Sequence, residues 1–322
     1  MKSKKRIVAL CGGVGGAKLA LGLASLDADV DLTIIANTGD DFEHLGLSIS
    51  PDIDTITYTL AGVANPETGW GRAEETWSFM ESLAGLGGDT WFQLGDKDLA
   101  LNVLRTKLRR SGASLSKVTS QVARKLGISA EIIPMSDSDV RTVLHTDQGT
   151  LDFQDYFVRH RCTPVVSGIE FEGAESATPS ARFEELLNDP AVEAIVICPS
   201  NPYISIDPIL AIPTVRNALA NHPAPVVAVS PVVNGQSIKG PTSKLMSELD
   251  AGSSGEDIAA YYRDFIDGFV LDCRDSHECA AIERAGIQSF CSNIVMSTLE
   301  DRICLAQDVI RFTGVIDARN KS

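Results

Sequence analysis

Two pairs of aspartates, Asp40 with Asp41 and Asp52 with Asp54, stand close together in this chain of 322 residues. Carboxylates gathered in this way can hold a divalent cation. Mg2+ takes one or two of them and completes its shell with water and phosphate oxygens. A carboxylate can also orient or deprotonate a hydroxyl. Each pair has a plainer alternative. Asn37-Thr-Gly-Asp-Asp41 has the composition of a turn, and Asp52 or Asp54 could cap the helix that Ile56 to Leu60 begins. The chemical reading gains weight from a stretch further upstream, where Gly12, Gly13, Gly15 and Gly16 crowd together. Glycines permit positive φ and close approach of the backbone, and the N–H groups at a helix start attract phosphate.

The glycine stretch matches neither standard nucleotide fingerprint. Counted from Gly13 and Gly15, G-x-G-x-x-G ends on Lys18. Counted from Gly12, the P-loop pattern finds Ala17 in place of its second glycine and Leu19 in place of Ser or Thr. The stretch reads as a variant phosphate loop, with a tight strand–helix turn packed for its own sake as the alternative.

The elements that must position these groups follow from the apolar pattern. Ile7 to Leu10 is an apolar run with the character of a buried strand, and Leu19, Leu23 and Leu26 after the glycines have helical spacing. Asp31 to Ala36 reads as a second strand. Strand, helix and strand in this length form a βαβ unit, so the fold class is α/β, a doubly wound, mostly parallel Rossmann-like sheet. Ligands of such sheets bind at the carboxyl ends of the strands, where the Asn37–Asp41 turn falls.

The pattern continues with a helix from about Glu74 to Leu86 and a short strand-like run, Trp91 to Leu94. That run ends in Gly95-Asp96-Lys97-Asp98, where an aspartate either caps the next helix or reaches the same crevice. Arg105, Lys107, Arg109 and Arg110 make a basic cluster that reads as a solvated helix face, and Ser114 opens a further helix. Residues 128–190 hold short strand-like runs at 130–135, 142–146 and 165–171 and read as an inserted α+β lobe. Core strands return at Ala194–Cys198 and Val226–Val229, with Phe269–Asp272 as the last, and Ser297 to Glu300 reads as a capping box. The chain then forms one domain over 1–322, its sheet drawn from about 1–127 and 190–322. Two tandem domains are the alternative.

Composition narrows the partners. The net charge of −15, from 28 basic and 43 acidic residues, argues against nucleic acid and against an anionic membrane. It leaves phosphorylated small molecules open, since these need only a local positive site. Seven cysteines with no C-x-x-C pair read as reduced thiols of a cytoplasmic protein. No stretch of about 18 apolar residues suggests a membrane span. These arguments reach a cytoplasmic α/β nucleotide-type enzyme with acidic strand ends and a divalent metal, and name no reaction.

The order of motifs goes further. Gly12-Gly-Val-Gly-Gly16, Asn37-Thr-Gly-Asp-Asp41, Ser50-Pro-Asp-Ile-Asp-Thr55, Leu94-Gly-Asp-Lys-Asp98, Ile133-Pro-Met-Ser-Asp137, Pro199-Ser-Asn-Pro202, Ala228-Val-Ser-Pro231 and Gly240-Pro-Thr-Ser-Lys244 occur in succession over nearly the whole chain. Phe153-Gln-Asp-Tyr-Phe157 and Tyr261-Tyr-Arg-Asp-Phe265 accompany them. In this the chain resembles the 2-phospho-L-lactate transferase family of deazaflavin coenzyme F-420 biosynthesis, the CofD family.

The resemblance implies a reaction. A guanosine-diphosphate-activated three-carbon acid, made by a guanylyltransferase partner, gives its phosphorylated acid to the ribityl 5′-hydroxyl of 7,8-didemethyl-8-hydroxy-5-deazariboflavin. GMP leaves, and Mg2+ is required. The resemblance puts Asp54 at the acceptor hydroxyl and the metal, with Asp40 and Asp41 as further catalytic candidates and Asp40 and Asp52 as further metal ligands. Gln93 and Asp96 fall on the deazaflavin side. Some relatives carry Lys at the position of Gln93, so that contact is neutral in this chain. Gly12, Gly13, Gly15, Gly16, Lys18, Ser200, Asn201 and Lys244 fall around the guanosine diphosphate. A homodimer is implied. Two other classes stay open: a regulatory protein of the same superfamily that binds a nucleotide sugar without turnover, and an NAD-dependent dehydrogenase, which the broken glycine fingerprint disfavours. The donor acid stays open between phospholactate, phosphoenolpyruvate and 3-phosphoglycerate.

Overall fold

A computed structural model describes residues 4–26, 28–238 and 240–320, with side chains up to residue 316. Its centre is a seven-stranded sheet. The strands are β1 (Lys5–Cys11), β2 (Val30–Ala36), β3 (Glu131–Pro134), β4 (Ala194–Ile197), β5 (Val226–Val229), β6 (Gly268–Asp272) and β7 (Gln288–Ser292). Their order is β7-β6-β5-β4-β1-β2-β3, and every pairing is parallel. The inner strands are apolar along their whole length because helices cover both faces. Side-chain alternation sends Ile7, Ala9 and Cys11 to one face, against Leu305, Val309 and Phe312 of the helix Leu299–Asn320. Val8 and Leu10 face the other way, in one cluster with Phe153, Tyr156 and Phe183.

The strand order places the site. From β1 the chain steps outward through β2 and β3, then returns to β4 on the other side of β1 and steps outward again. The two directions part between β1 and β4, and the strands' carboxyl ends there form the switch point at which ligands of such sheets bind. Helix α1 (Gly13–Ala24) leaves from the end of β1, and helix α2 (Pro51–Leu60) packs against α1.

Several expectations change in detail. Glu131–Pro134 pairs with β2, so the inserted lobe begins only after it. The lobe carries a three-stranded antiparallel sheet of Gly149–Asp152, Arg141–Thr146 and Val166–Glu172. Phe269–Asp272 is not the last strand: Gln288–Ser292 follows at the edge, half-buried and therefore without an apolar run. The helix expected from Glu74 spans only Ser78–Gly85. Glu74 adopts φ 54°, and Glu75 accepts hydrogen bonds from the N–H groups of Lys97 and Asp98. Trp91 to Leu94 forms no strand; Trp91 and Phe92 pack with Phe42 and His44 in an aromatic cluster. The C-terminal helix is capped by Thr298 and Asp301, one residue later than the expected box. Ser114 caps its helix as expected, accepting from the Lys117 N–H. Among the described residues no helix is long and apolar enough to cross a membrane, and all seven cysteines are free.

Candidate functional site

The glycine loop and the turn after β4 are stitched together across the crevice. The Ser200 hydroxyl donates to the Gly12 carbonyl at 2.8 Å and accepts from the Gly12 N–H at 3.2 Å. This approach requires glycine: a Cβ on Gly16 would lie 2.6 Å from the Ser200 oxygen, and one on Gly15 would overlap the Pro199 carbonyl. Asn201 caps the turn that follows, accepting from the N–H groups of Tyr203 and Ile204. The Gly13 N–H at the start of α1 donates to Asp52 at 2.8 Å. A carboxylate thus already sits where the helix start favours an anion.

The four aspartates meet on the β2 side of this loop. Asn37, at the end of β2, organises two of them. Its amide nitrogen donates to Asp40 at 3.1 Å, to Asp52 at 3.0 Å and to the Ile204 carbonyl at 3.3 Å, while its oxygen accepts from the Gly39 N–H at 2.8 Å. Ser50 occupies the N-cap position of α2, so neither Asp52 nor Asp54 is the cap. Both lie in the first turn, where the helix favours negative charge. The Ser50 hydroxyl donates instead to Asp41 at 2.7 Å.

Burial governs the charge state of the group. It raises Asp40 well above the ordinary carboxylate range, helped by the charge of Asp52 and opposed by the Asn37 amide. It lifts Asp41 to about 7 against the Ser50 hydroxyl and the guanidinium groups of Arg105 and Arg141. Asp52 is raised to about 6 against the Asn37 amide and the Gly13 N–H. Asp54 is raised to about 6, with Arg105 opposing. Raised to about 6 or 7, Asp41, Asp52 and Asp54 fall in the range that suits a general base.

Arg105 belongs to this site, although its cluster reads in sequence as a solvated face. It is 2% exposed and forms an ion pair with Asp54. Its helix, Asp96–Arg110, buries Leu101, Asn102, Arg105 and Thr106 on one side, and that spacing is the signal that sets Arg105 apart from Lys107, Arg109 and Arg110. Asp98, from the Gly95–Asp98 stretch that the sequence offers to the crevice, accepts from the Tyr58 hydroxyl at 2.6 Å, and burial raises it.

The remaining sequence candidates lie in other settings. Gln93 is exposed and donates to the Thr90 carbonyl. Asp96 accepts from the Thr76 hydroxyl and from the Ser78 and Phe79 N–H groups, which hold its carboxyl below the usual range and start the Ser78–Gly85 helix. The Lys18 ammonium donates to the Met296 carbonyl at 2.9 Å. Lys244 pairs with Glu248 at 2.6 Å and donates to the Pro164 carbonyl at 2.8 Å, on the side of the inserted lobe.

For a metal ion, the donors fit in part. Among the described residues no three His, Cys, Asp or Glu side chains converge as a ligand set, so the chain builds no complete cage. Asp40 and Asp52, bridged by one amide, and the Asp41 oxygen that is buried without a hydrogen-bond partner suit a hard cation that draws its other ligands from phosphate and water. Asp54 forms its ion pair with Arg105.

A parallel α/β sheet with a glycine loop at its switch point and buried carboxylates at its rim defines the class of nucleotide-type α/β enzymes. Within that class the chain belongs to the CofD family, transferases of coenzyme F-420 biosynthesis: residues 7–293 match the family described as 2-phospho-L-lactate transferase CofD. It is 40% identical over 302 residues to a phosphoenolpyruvate transferase of Kitasatospora aureofaciens, covering 92% of this chain and 94% of that one. It is 38% identical over 311 residues to a 2-phospho-L-lactate transferase of Methanopyrus kandleri, covering 95% and 97%. A crystal structure of an upf0052 family protein from Bacillus halodurans shares the fold at a TM-score of 0.67 and 15% identity, covering 96% of this chain and all of that one.

Proposed function

We propose that the chain transfers a phosphorylated three-carbon acid from its guanosine-diphosphate-activated form to the 5′-hydroxyl of 7,8-didemethyl-8-hydroxy-5-deazariboflavin. The acceptor oxygen forms a bond to the phosphorus that carries the acid, the bridging P–O bond breaks, GMP leaves, and the hydroxyl proton passes to a base. The observation that carries this reading is the meeting, at one switch point, of the Gly12–Gly16 loop, the Ser200 turn and four buried aspartates.

The residues divide the work. The loop and the Ser200–Asn201 turn receive the guanosine diphosphate moiety, with Val14 and Gly15 offering the next N–H groups of the helix start. Asp54 orients the acceptor hydroxyl and takes its proton. Asp40 and Asp52 would hold Mg2+, which when bound would supply positive charge to the phosphate oxygens. Little covalent work falls to the protein, so positioning and electrostatics supply most of the rate. The protein acts in the cytoplasm as a homodimer, supplied by a guanylyltransferase. Relatives of near-equal identity carry two different donor names, so the assay decides the acid.

That assay combines the purified chain, Mg2+, the deazaflavin, GTP, a guanylyltransferase and each acid in turn, with product read by mass spectrometry. Product with one acid supports the transferase and identifies its donor. Absence of product with every acid, together with tight guanosine nucleotide binding by the folded protein, would contradict the transferase and leave the regulatory binding protein.

A further inference from the structure

Arg105 is the most buried cation of the molecule's working face. Among the described residues it is the only buried Lys or Arg. It reaches Asp54 from a different element, across 51 positions of sequence. Its guanidinium is itself anchored, donating to the Asn102 side-chain oxygen at 2.7 Å and to the Ser48 carbonyl at 3.2 Å. Both anchors are neutral, so the charge stays available to the carboxylates around it, Asp54, Asp41 and Asp98.

A lysine could not serve this arrangement. The planar guanidinium fork presents fixed N–H groups to Asp54, Asn102 and Ser48 at the same time, whereas an ammonium is a point charge on a flexible stem. The fork therefore constrains direction as well as charge. The Asp54 side chain it holds lies in the first turn of α2, two residues from Asp52, whose carboxylate lies against the glycine loop. The pair thus fixes one aspartate of the turn while the other faces the phosphate loop.

We propose that Arg105 is a positioning residue: it holds the Asp54 carboxylate in the one orientation that meets the acceptor hydroxyl. This rests on the reading of Asp54 as the group at the acceptor hydroxyl.

The test is a double-mutant cycle in steady-state turnover, with Arg105→Lys, Asp54→Asn and the two combined. Misplacement of a reacting group by an ångström costs about 10²-fold, so Arg105→Lys should lower kcat by about that factor. The donor KM and the Mg2+ concentration for half-activation should stay at wild-type values. In the Asp54→Asn background the same substitution should cost nothing more, since residues that act as a unit are not additive. A merely structural arginine would give a loss that multiplies in the double variant. Asn102→Ala serves where Arg105→Lys does not fold: it removes one anchor, keeps the ion pair, and should lower kcat only while Asp54 is present. Full turnover by either variant, a multiplicative loss, or a changed Mg2+ requirement overturns the proposal. No turnover by the wild type overturns the reading beneath it as well.

Discussion

Asn37 is neutral and short, yet four hydrogen bonds converge on its side chain. Two of them go to Asp40 and Asp52, whose carboxyls burial raises and this amide opposes. Asn37→Ala leaves Asp40 and Asp52 without this donor and strands the Gly39 N–H. The expected loss is on the order of 3 kcal/mol of stability, read from urea denaturation. A loss below about 1 kcal/mol, no more than one ordinary hydrogen bond, would show that the amide does not organise the acids. Asp52 carries a second consequence at this scale. Its carboxylate holds the Gly13 N–H, so a phosphate reaching the helix start meets a negative neighbour, which is the circumstance in which a shared cation is useful.

Among the elements, the start of α1 depends on glycine at two positions for different reasons. Gly13 has φ +63°, and a Cβ there would meet nothing closer than the Ser205 hydroxyl oxygen at 3.9 Å. Gly15 faces a backbone carbonyl that cannot move out of the way. Gly13→Ala should therefore cost about 1–2 kcal/mol from backbone strain. Gly15→Ala adds overpacking, usually 1–3 kcal/mol, and also separates the loop from the Ser200 turn. Paired urea titrations should rank Gly15→Ala as the worse of the two and show weaker GDP binding; the reverse ranking would contradict the close-packed crevice.

The same elements show what was legible in the chain. The βαβ start, the parallel sheet and the acidic turn could be read because buried parallel strands are continuous apolar runs ending in glycine or polar turns. β7 could not, because Gln288-Ser-Phe-Cys-Ser292 lies half-buried at an edge and has the composition of a loop. Trp91 to Leu94 misled in the opposite sense: an apolar run can fill an aromatic cluster as well as a sheet. Of the site, the aspartates and glycines stood out, and Arg105 did not. Its partner is distant in sequence, and a basic cluster on a helix ordinarily faces water.

The whole molecule is acidic, with a net charge of −15, and several of its carboxyls outside the four-aspartate cluster are partly or fully buried. Asp207 is one of these. Burial raises it to about 6, against a hydrogen bond from the Tyr261 hydroxyl and the charge of Arg216. Its folded value lies above the unfolded value of about 3.9, so its contribution is fully present at low pH and is lost as pH rises through about 6. Between pH 7 and pH 5 the folded state binds more protons at this group. Wild-type protein should therefore gain about 1 kcal/mol on acidification relative to Asp207→Asn, measured by urea denaturation at both pH values. An identical pH slope in the two proteins would show that Asp207 is not held in the protonated range. The histidines do not confuse this comparison, because His44 and His222 are common to both proteins and burial lowers each of them.

The proposed transfer places Asp54 at the acceptor hydroxyl. The most direct measurement is the turnover number of Asp54→Asn beside the wild type, with GDP affinity measured on the same samples. A positioned base contributes about 10²–10⁴-fold, so kcat should fall by that range while GDP affinity stays within about threefold. Turnover within tenfold of the wild type, from a variant that still binds GDP, would place the base elsewhere than Asp54.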